Sequence, residues 1–62
     1  MNLRFLVDYE DVVVGHKVTK GTFVTVSHVT SYDCDRDAYA FFKDIPITIK
    51  VSVLAAITER IL

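Results

Sequence analysis

Apolar and polar residues alternate along much of the first thirty residues, which is the pattern of half-buried β-strands. A run rich in valine covers residues 12–18, and a run rich in β-branched residues extends from Thr22 to Thr30. The pattern therefore predicts three strands in this half of the chain. In the first of them, the apolar positions are Leu3, Phe5, Val7 and Tyr9.

The second and third strands are predicted to form a hairpin closed by Thr19-Lys20-Gly21, since Gly21 can adopt the left-handed conformation of a three-residue turn. In this register Val18 lies opposite Thr22, whereas a two-residue turn would mix apolar and polar side chains on one face. The more apolar face then carries Val12, Val14, His16, Val18, Val24, Val26 and His28.

An acidic break over residues 31–37 separates this half from the rest of the chain. Its aspartates are residues that cap helices, so a short helix is predicted over about Arg36 to Lys43. Asp44-Ile45-Pro46 ends that helix, because the residue before a proline avoids the helical region.

The C-terminal segment fits two periodicities. The spacing of Ile47, Val51 and Leu54 is helical, and we expect a helix from about Ile47 to Leu62, with Ile49 and Val53 on its outward side. The alternative is a strand over residues 47–52 followed by a shorter helix that begins at Ser52. The predicted architecture is α+β: a three-stranded antiparallel meander followed by two helices, in a single domain covering residues 1–62.

Composition narrows the class of protein. The chain has 62 residues, of which 52% are hydrophobic and 24% charged, and its formal net charge is −1. So much apolar material excludes a disordered tail, and a single cysteine, Cys34, excludes a disulfide scaffold. With no long apolar run and no basic leader, we expect neither a membrane span nor a signal peptide, and a location in the reducing cytoplasm.

The length also predicts self-association. A chain of 7.0 kDa buries roughly 6,000 Å² on folding. The hydrophobic gain and the loss of conformational entropy are then each on the order of 90 kcal/mol, so they nearly cancel. Because disulfides are absent and metal ligands are scarce, we expect a homo-oligomer to supply the missing stability.

No catalytic or metal centre is predicted, and no cofactor. Ser27 and His28 are neighbours on a strand, so their side chains are expected on opposite faces. The segment Asp33–Asp37 resembles the start of an EF-hand calcium loop, but Ala38 stands where that loop needs glycine. His16, His28 and Cys34 lack the spacing of a zinc site.

The class of function that remains is binding without catalysis. His16, Lys17, Lys20 and Arg36 are the candidate residues for an anionic, nucleotide-like ligand held between subunits, and Phe23 and Phe41 are the candidates for a contact with a partner protein.

From size and the lack of a motif, we expect a small non-catalytic protein that acts stoichiometrically, as an inhibitor or sequestering protein encoded by a phage or mobile element. Its target would be a host protein or the anionic ligand. The alternatives are a structural or assembly subunit and a small nucleic-acid-associated regulator. Nucleic-acid binding is disfavoured by a pI near 6.0, and no membrane contact is expected.

Overall fold

The computed structural model describes residues 1–31 and 38–61, and in these ranges the chain forms seven strands and one helix. Five of the strands form one antiparallel sheet in the order β6-β5-β4-β1-β7, and β2 and β3 form a separate hairpin. In chain order the elements are β1 Asn2–Phe5, β2 Tyr9–Asp11, β3 His16–Val18, β4 Phe23–Ser31, β5 Ala38–Phe42, β6 Thr48–Lys50, α1 Val51–Ile57 and β7 Thr58–Ile61.

The length of α1 shows that the five-stranded sheet is curled. This helix joins the two edge strands, since β6 ends at Lys50 and β7 begins at Thr58. Its seven residues span only about 10 Å. In a flat sheet, four spacings of ~4.8 Å would place the edge strands about 19 Å apart. The sheet therefore curls until its edges approach each other, and α1 bridges them.

The long strand β4 belongs to both halves of the curled sheet. Its residues 23–25 pair with β1, and its residues 26 and 28–31 pair with β5. The register shifts between Val26 and His28, which is a β-bulge at Ser27. A bulge bends the strand that carries it, and this bend falls where β4 passes from one partner to the other.

The core lies on the concave side of the sheet, beneath α1. It is formed by eight apolar side chains that face inward: seven belong to six of the elements, and Ile47 precedes β6. Thr58 is buried as well. These apolar residues are Leu3, Phe5, Val18, Val24, Ala40, Ile47, Ile49 and Leu54.

The predicted architecture of a three-stranded meander followed by two helices is wrong, because the described residues form mostly sheet, with one short helix. Of the helix predicted over 36–43, residues 38–43 are described, and Ala38–Phe42 form strand β5. β5 has ladder partners on both sides, β4 and β6, and this pairing outweighs the local helix-capping signal. The strand also separates two adjacent aromatic residues, since Phe42 packs against the core and Phe41 lies on the opposite face.

The predicted pairing of the second and third strands is also wrong. β3 pairs with β2 in the register Tyr9↔Val18, whereas β4 pairs with β1 and β5. The turn at Gly21 is confirmed: Gly21 has φ of +90°, and the Thr22 N–H donates to the Thr19 carbonyl at 3.1 Å. The chain beyond this turn leaves β3 and joins the main sheet.

The helix predicted over residues 47–62 is wrong at both ends, because residues 48–50 and 58–61 are strands. The alternative of a strand followed by a shorter helix is closer. Both periodicities of the segment are used, the alternating one by β6 and the helical one by α1. No helix among the described residues is long and apolar enough to cross a membrane.

Candidate functional site

The tip of the β2–β3 hairpin is a short, ordered loop of three valines and a glycine. Asp11 and His16 are the last paired residues, so residues 12–15 form the loop. The Gly15 N–H donates to the Asp11 carbonyl at 2.7 Å, and Gly15 has φ of +78°. The Asp11 Oδ1 atom accepts hydrogen bonds from the backbone N–H groups of Val13 and Val14, both at 3.1 Å. The carboxylate of Asp11 thus holds the loop in one shape.

The valine side chains of this loop face solvent. Val12 is 80% exposed, Val13 92% and Val14 55%. Scattered apolar residues are ordinary on a surface, but three consecutive ones on a projecting loop are not. Covering each of them is worth roughly 1.5–3 kcal/mol, so the group offers on the order of 5 kcal/mol to a partner. We call residues 12–14 the valine tip.

The alternating pattern of the sequence does not predict this tip, because it places Val12 and Val14 on the apolar face of a longer hairpin. A signal was present. Asp11 and Gly15 bracket the three valines, and aspartate and glycine are the residues that begin and end tight turns.

Three of the candidate ligand residues lie on or beside this hairpin, where acidic residues face them. His16 is the cross-strand partner of Asp11, and Lys17 is that of Glu10. The backbone N–H of Lys20 donates to the Asp8 carboxylate at 2.7 Å. The fourth candidate, Arg36, lies outside the described residues, as do Asp33, Cys34, Asp35 and Asp37.

Because carboxylates balance these cations, the hairpin has no positive field of its own to attract an anion. Asp8, Glu10 and Asp11 supply three negative charges, against two positive charges from Lys17 and Lys20. The anionic-ligand site stays a prediction, and the described geometry gives it no added support.

The two candidate partner-binding aromatic residues differ in accessibility. Phe23 is 66% exposed and lies opposite Arg4, whose guanidinium forms an ion pair with Glu59. Phe41 is half-buried, and its ring stacks on the His28 ring with centroids 4.4 Å apart and planes 8° apart. Phe23 therefore offers an open apolar surface, and Phe41 offers much less.

The expectation that Ser27 and His28 cannot pair is wrong. The Ser27 Oγ atom lies 3.0 Å from the His28 Nδ1 atom and also donates to the Phe41 carbonyl at 3.3 Å. The bulge interrupts the alternation of side chains, so both residues lie on the same face. Within the described residues no carboxylate is hydrogen-bonded to His28, so the third member of a catalytic triad is missing there.

An apolar cavity of about 290 Å³ lies between α1 and the inner face of β1 and β7. Its lining includes Leu3, Leu54 and Ala55, together with Arg60, which is exposed. The described residues contain no group of three or more histidine, cysteine, aspartate or glutamate side chains placed to hold a metal ion.

No protein-family model, no curated protein and no solved structure gives a significant match to this chain. The site is therefore interpreted from its own chemistry.

Proposed function

We propose that this protein is a non-catalytic binding protein that acts stoichiometrically by inserting its valine tip into an apolar pocket of a partner protein. The observation that carries the proposal is the combination of high exposure with a fixed shape at residues 12–14. A preformed loop loses little conformational entropy on binding, so more of the hydrophobic gain remains as affinity.

A protein partner suits the tip better than a lipid bilayer does. The Asp11 carboxylate bonds the backbone at Val13 and Val14 and therefore moves with the tip. Carrying an ionised carboxylate into hydrocarbon is costly. A protein pocket, in contrast, can supply N–H donors or a basic side chain at its rim. The target class expected from the sequence, a host protein bound by an inhibitor from a phage or mobile element, belongs to this proposal.

The reducing cytoplasm is the proposed location, since the single Cys34 has no disulfide partner within the chain. Self-association is proposed alongside partner binding. Among the described strands, β6 and β7 each have one ladder partner, so each has an edge on which another strand can pair.

Site-specific photocrosslinking tests the proposal. A photoreactive phenylalanine analogue replaces Val13 in one protein and Val29 in another, since Val29 is also exposed but lies on β4. In source cells we expect the probe at position 13 to crosslink to one protein. The probe at position 29 should not crosslink to that protein. The adduct is then identified by mass spectrometry, and the purified partner should bind in a defined molar ratio.

A matched set of variants separates binding from folding. Val12→Thr, Val13→Thr and Val14→Thr together keep the β-branched shape but remove apolar surface. In titrations with the purified partner, this triple variant should bind at least 30-fold more weakly, with its melting temperature unchanged. Val29→Thr should bind as the unaltered protein does. Crosslinks from position 13 only to a second copy, or sedimentation with phosphatidylcholine–phosphatidylglycerol vesicles that requires the valines, would overturn the proposal.

A further inference from the structure

The apolar cavity beneath α1 has a second chemical feature, an arginine in its lining. The walls come from Val51, Leu54 and Ala55 of the helix and from Leu3 of β1. Arg60 of β7 is the cross-strand partner of Leu3, so it lies on the same face of the sheet. The cavity is open to solvent, and its lining therefore combines mainly apolar side chains with one basic side chain.

The polar side chains of this cavity differ in whether they already have a hydrogen-bond partner within the protein. The Thr58 hydroxyl donates to the Leu54 carbonyl at 2.6 Å, so it is satisfied within the protein. Among residues 1–31 and 38–61, no side chain or carbonyl is hydrogen-bonded or ion-paired to Arg60. Arg4, on the outer face, has Glu59 as its partner. Among the described residues, Arg60 is thus the charged side chain of this cavity that has no partner.

We propose that this cavity binds an aliphatic carboxylate of medium chain length, with its chain between α1 and β1 and its carboxylate on Arg60. A guanidinium pairs with a carboxylate through two parallel hydrogen bonds. The volume of about 290 Å³ is at the lower end for ligand sites, which suits a short chain better than a nucleotide. The residues that line the cavity include no aromatic ring on which a nucleotide base could stack. This site does not depend on the valine tip.

Titration with sodium octanoate, followed by the backbone amide signals of the ¹⁵N-labelled protein, tests this proposal. We expect saturable shifts at Leu3, Leu54 and Arg60, with a Kd on the order of 0.1–1 mM for a ligand of about ten heavy atoms. The neutral analogue 1-octanol should bind at least fivefold more weakly. Raising NaCl from 50 to 300 mM should reduce that preference, because Arg60 is exposed and salt screens its charge.

Two variants and a control identify the residues responsible. Arg60→Gln should weaken octanoate binding at least fivefold and leave 1-octanol binding unchanged. Arg4→Gln removes an arginine from the outer face and should change neither Kd by more than twofold. Ala55→Leu adds bulk to the cavity wall and should weaken both ligands at least fivefold.

The proposal is overturned if octanoate at 10 mM causes no shifts at the cavity. It is equally overturned if octanoate and 1-octanol bind alike, because Arg60 then contributes nothing. A dimer detected by light scattering, whose interface covers Val51 and Ala55 and excludes octanoate, would show that a second copy is the occupant instead.

Discussion

Substituting Ile49 tests the fold directly, because the sequence-based helix and the observed strand place this side chain in opposite environments. In the structure Ile49 is 1% exposed and lies between the facing strand residue Ala40 and the other core side chains. Val53, in contrast, is 40% exposed on α1. In a helix over residues 47–62 the two would share an outward face.

The size of the effect follows from this burial. Ile49→Val removes one buried methylene, which costs about 0.5–1.5 kcal/mol. A chain of this length has a total free energy of unfolding of about 3–9 kcal/mol, so the loss is a substantial fraction of it. A loss of 1 kcal/mol lowers the melting temperature of a domain of this size by roughly 4–8 °C. Ile49→Ala costs about 2–5 kcal/mol and leaves little folded protein.

Urea unfolding monitored by circular dichroism measures these changes, with Val53→Ala as the matched control. Val53→Ala should leave the free energy of unfolding unchanged or raise it slightly, since little buried area is lost and alanine favours a helix by up to ~0.7 kcal/mol. Equal and small effects of Ile49→Val and Val53→Ala, at unchanged m-values, would refute the strand assignment and the core built on it.

Two further predictions concern single interactions, and the same urea measurement checks both. Gly21→Ala should destabilise the protein by about 1–2 kcal/mol, because alanine is strained at a φ of +90°, although space for its Cβ atom is available. Gly21→Asn should cost less, and equal effects of the two would contradict this explanation. Thr58→Val should cost about 0.5–1.5 kcal/mol, since the Leu54 carbonyl loses its 2.6 Å hydrogen bond from the hydroxyl and keeps only the one from the Thr58 backbone N–H. Thr58→Ser keeps the hydroxyl and should recover part of that loss; a serine variant no more stable than the valine variant would assign the effect to packing.

Local pattern predicted those parts of the fold that depend on local interactions. The alternation correctly predicted a strand with Leu3 and Phe5 inward, although β1 ends at Phe5 and does not continue through Val7 as predicted. The glycine rule correctly predicted the turn at Gly21. The errors arose where distant segments pair. β5 and β6 are stabilised by neighbours in space, and nothing within residues 38–42 shows that β4 and β6 lie beside them.

In the candidate site, too, local features were predictable from the sequence, whereas contacts between distant segments were not. The predicted cationic residues are indeed close together in the sequence. The sequence does not show that the pairing of β2 with β3 places acidic residues opposite them. The cavity at Arg60 could not be predicted, because its walls come from both ends of the chain. The bulge at Ser27 places that residue beside His28. No glycine or proline stands next to Ser27 to indicate a bulge in the sequence.

The valine tip has little role in folding, and this is the strongest structural reason to assign it a role in binding. The hairpin contributes to the core through Val18 and Tyr9 at its base, where β2 and β3 meet the main sheet. Backbone hydrogen bonds between Phe5 and the turn after β3 secure that base. Residues 12–14 lie beyond it and are all more than half exposed, so their side chains add little buried area to the folded monomer. Valine there carries the cost of exposed apolar surface with little compensating gain in the isolated chain, and the proposed partner would supply that gain by covering the tip.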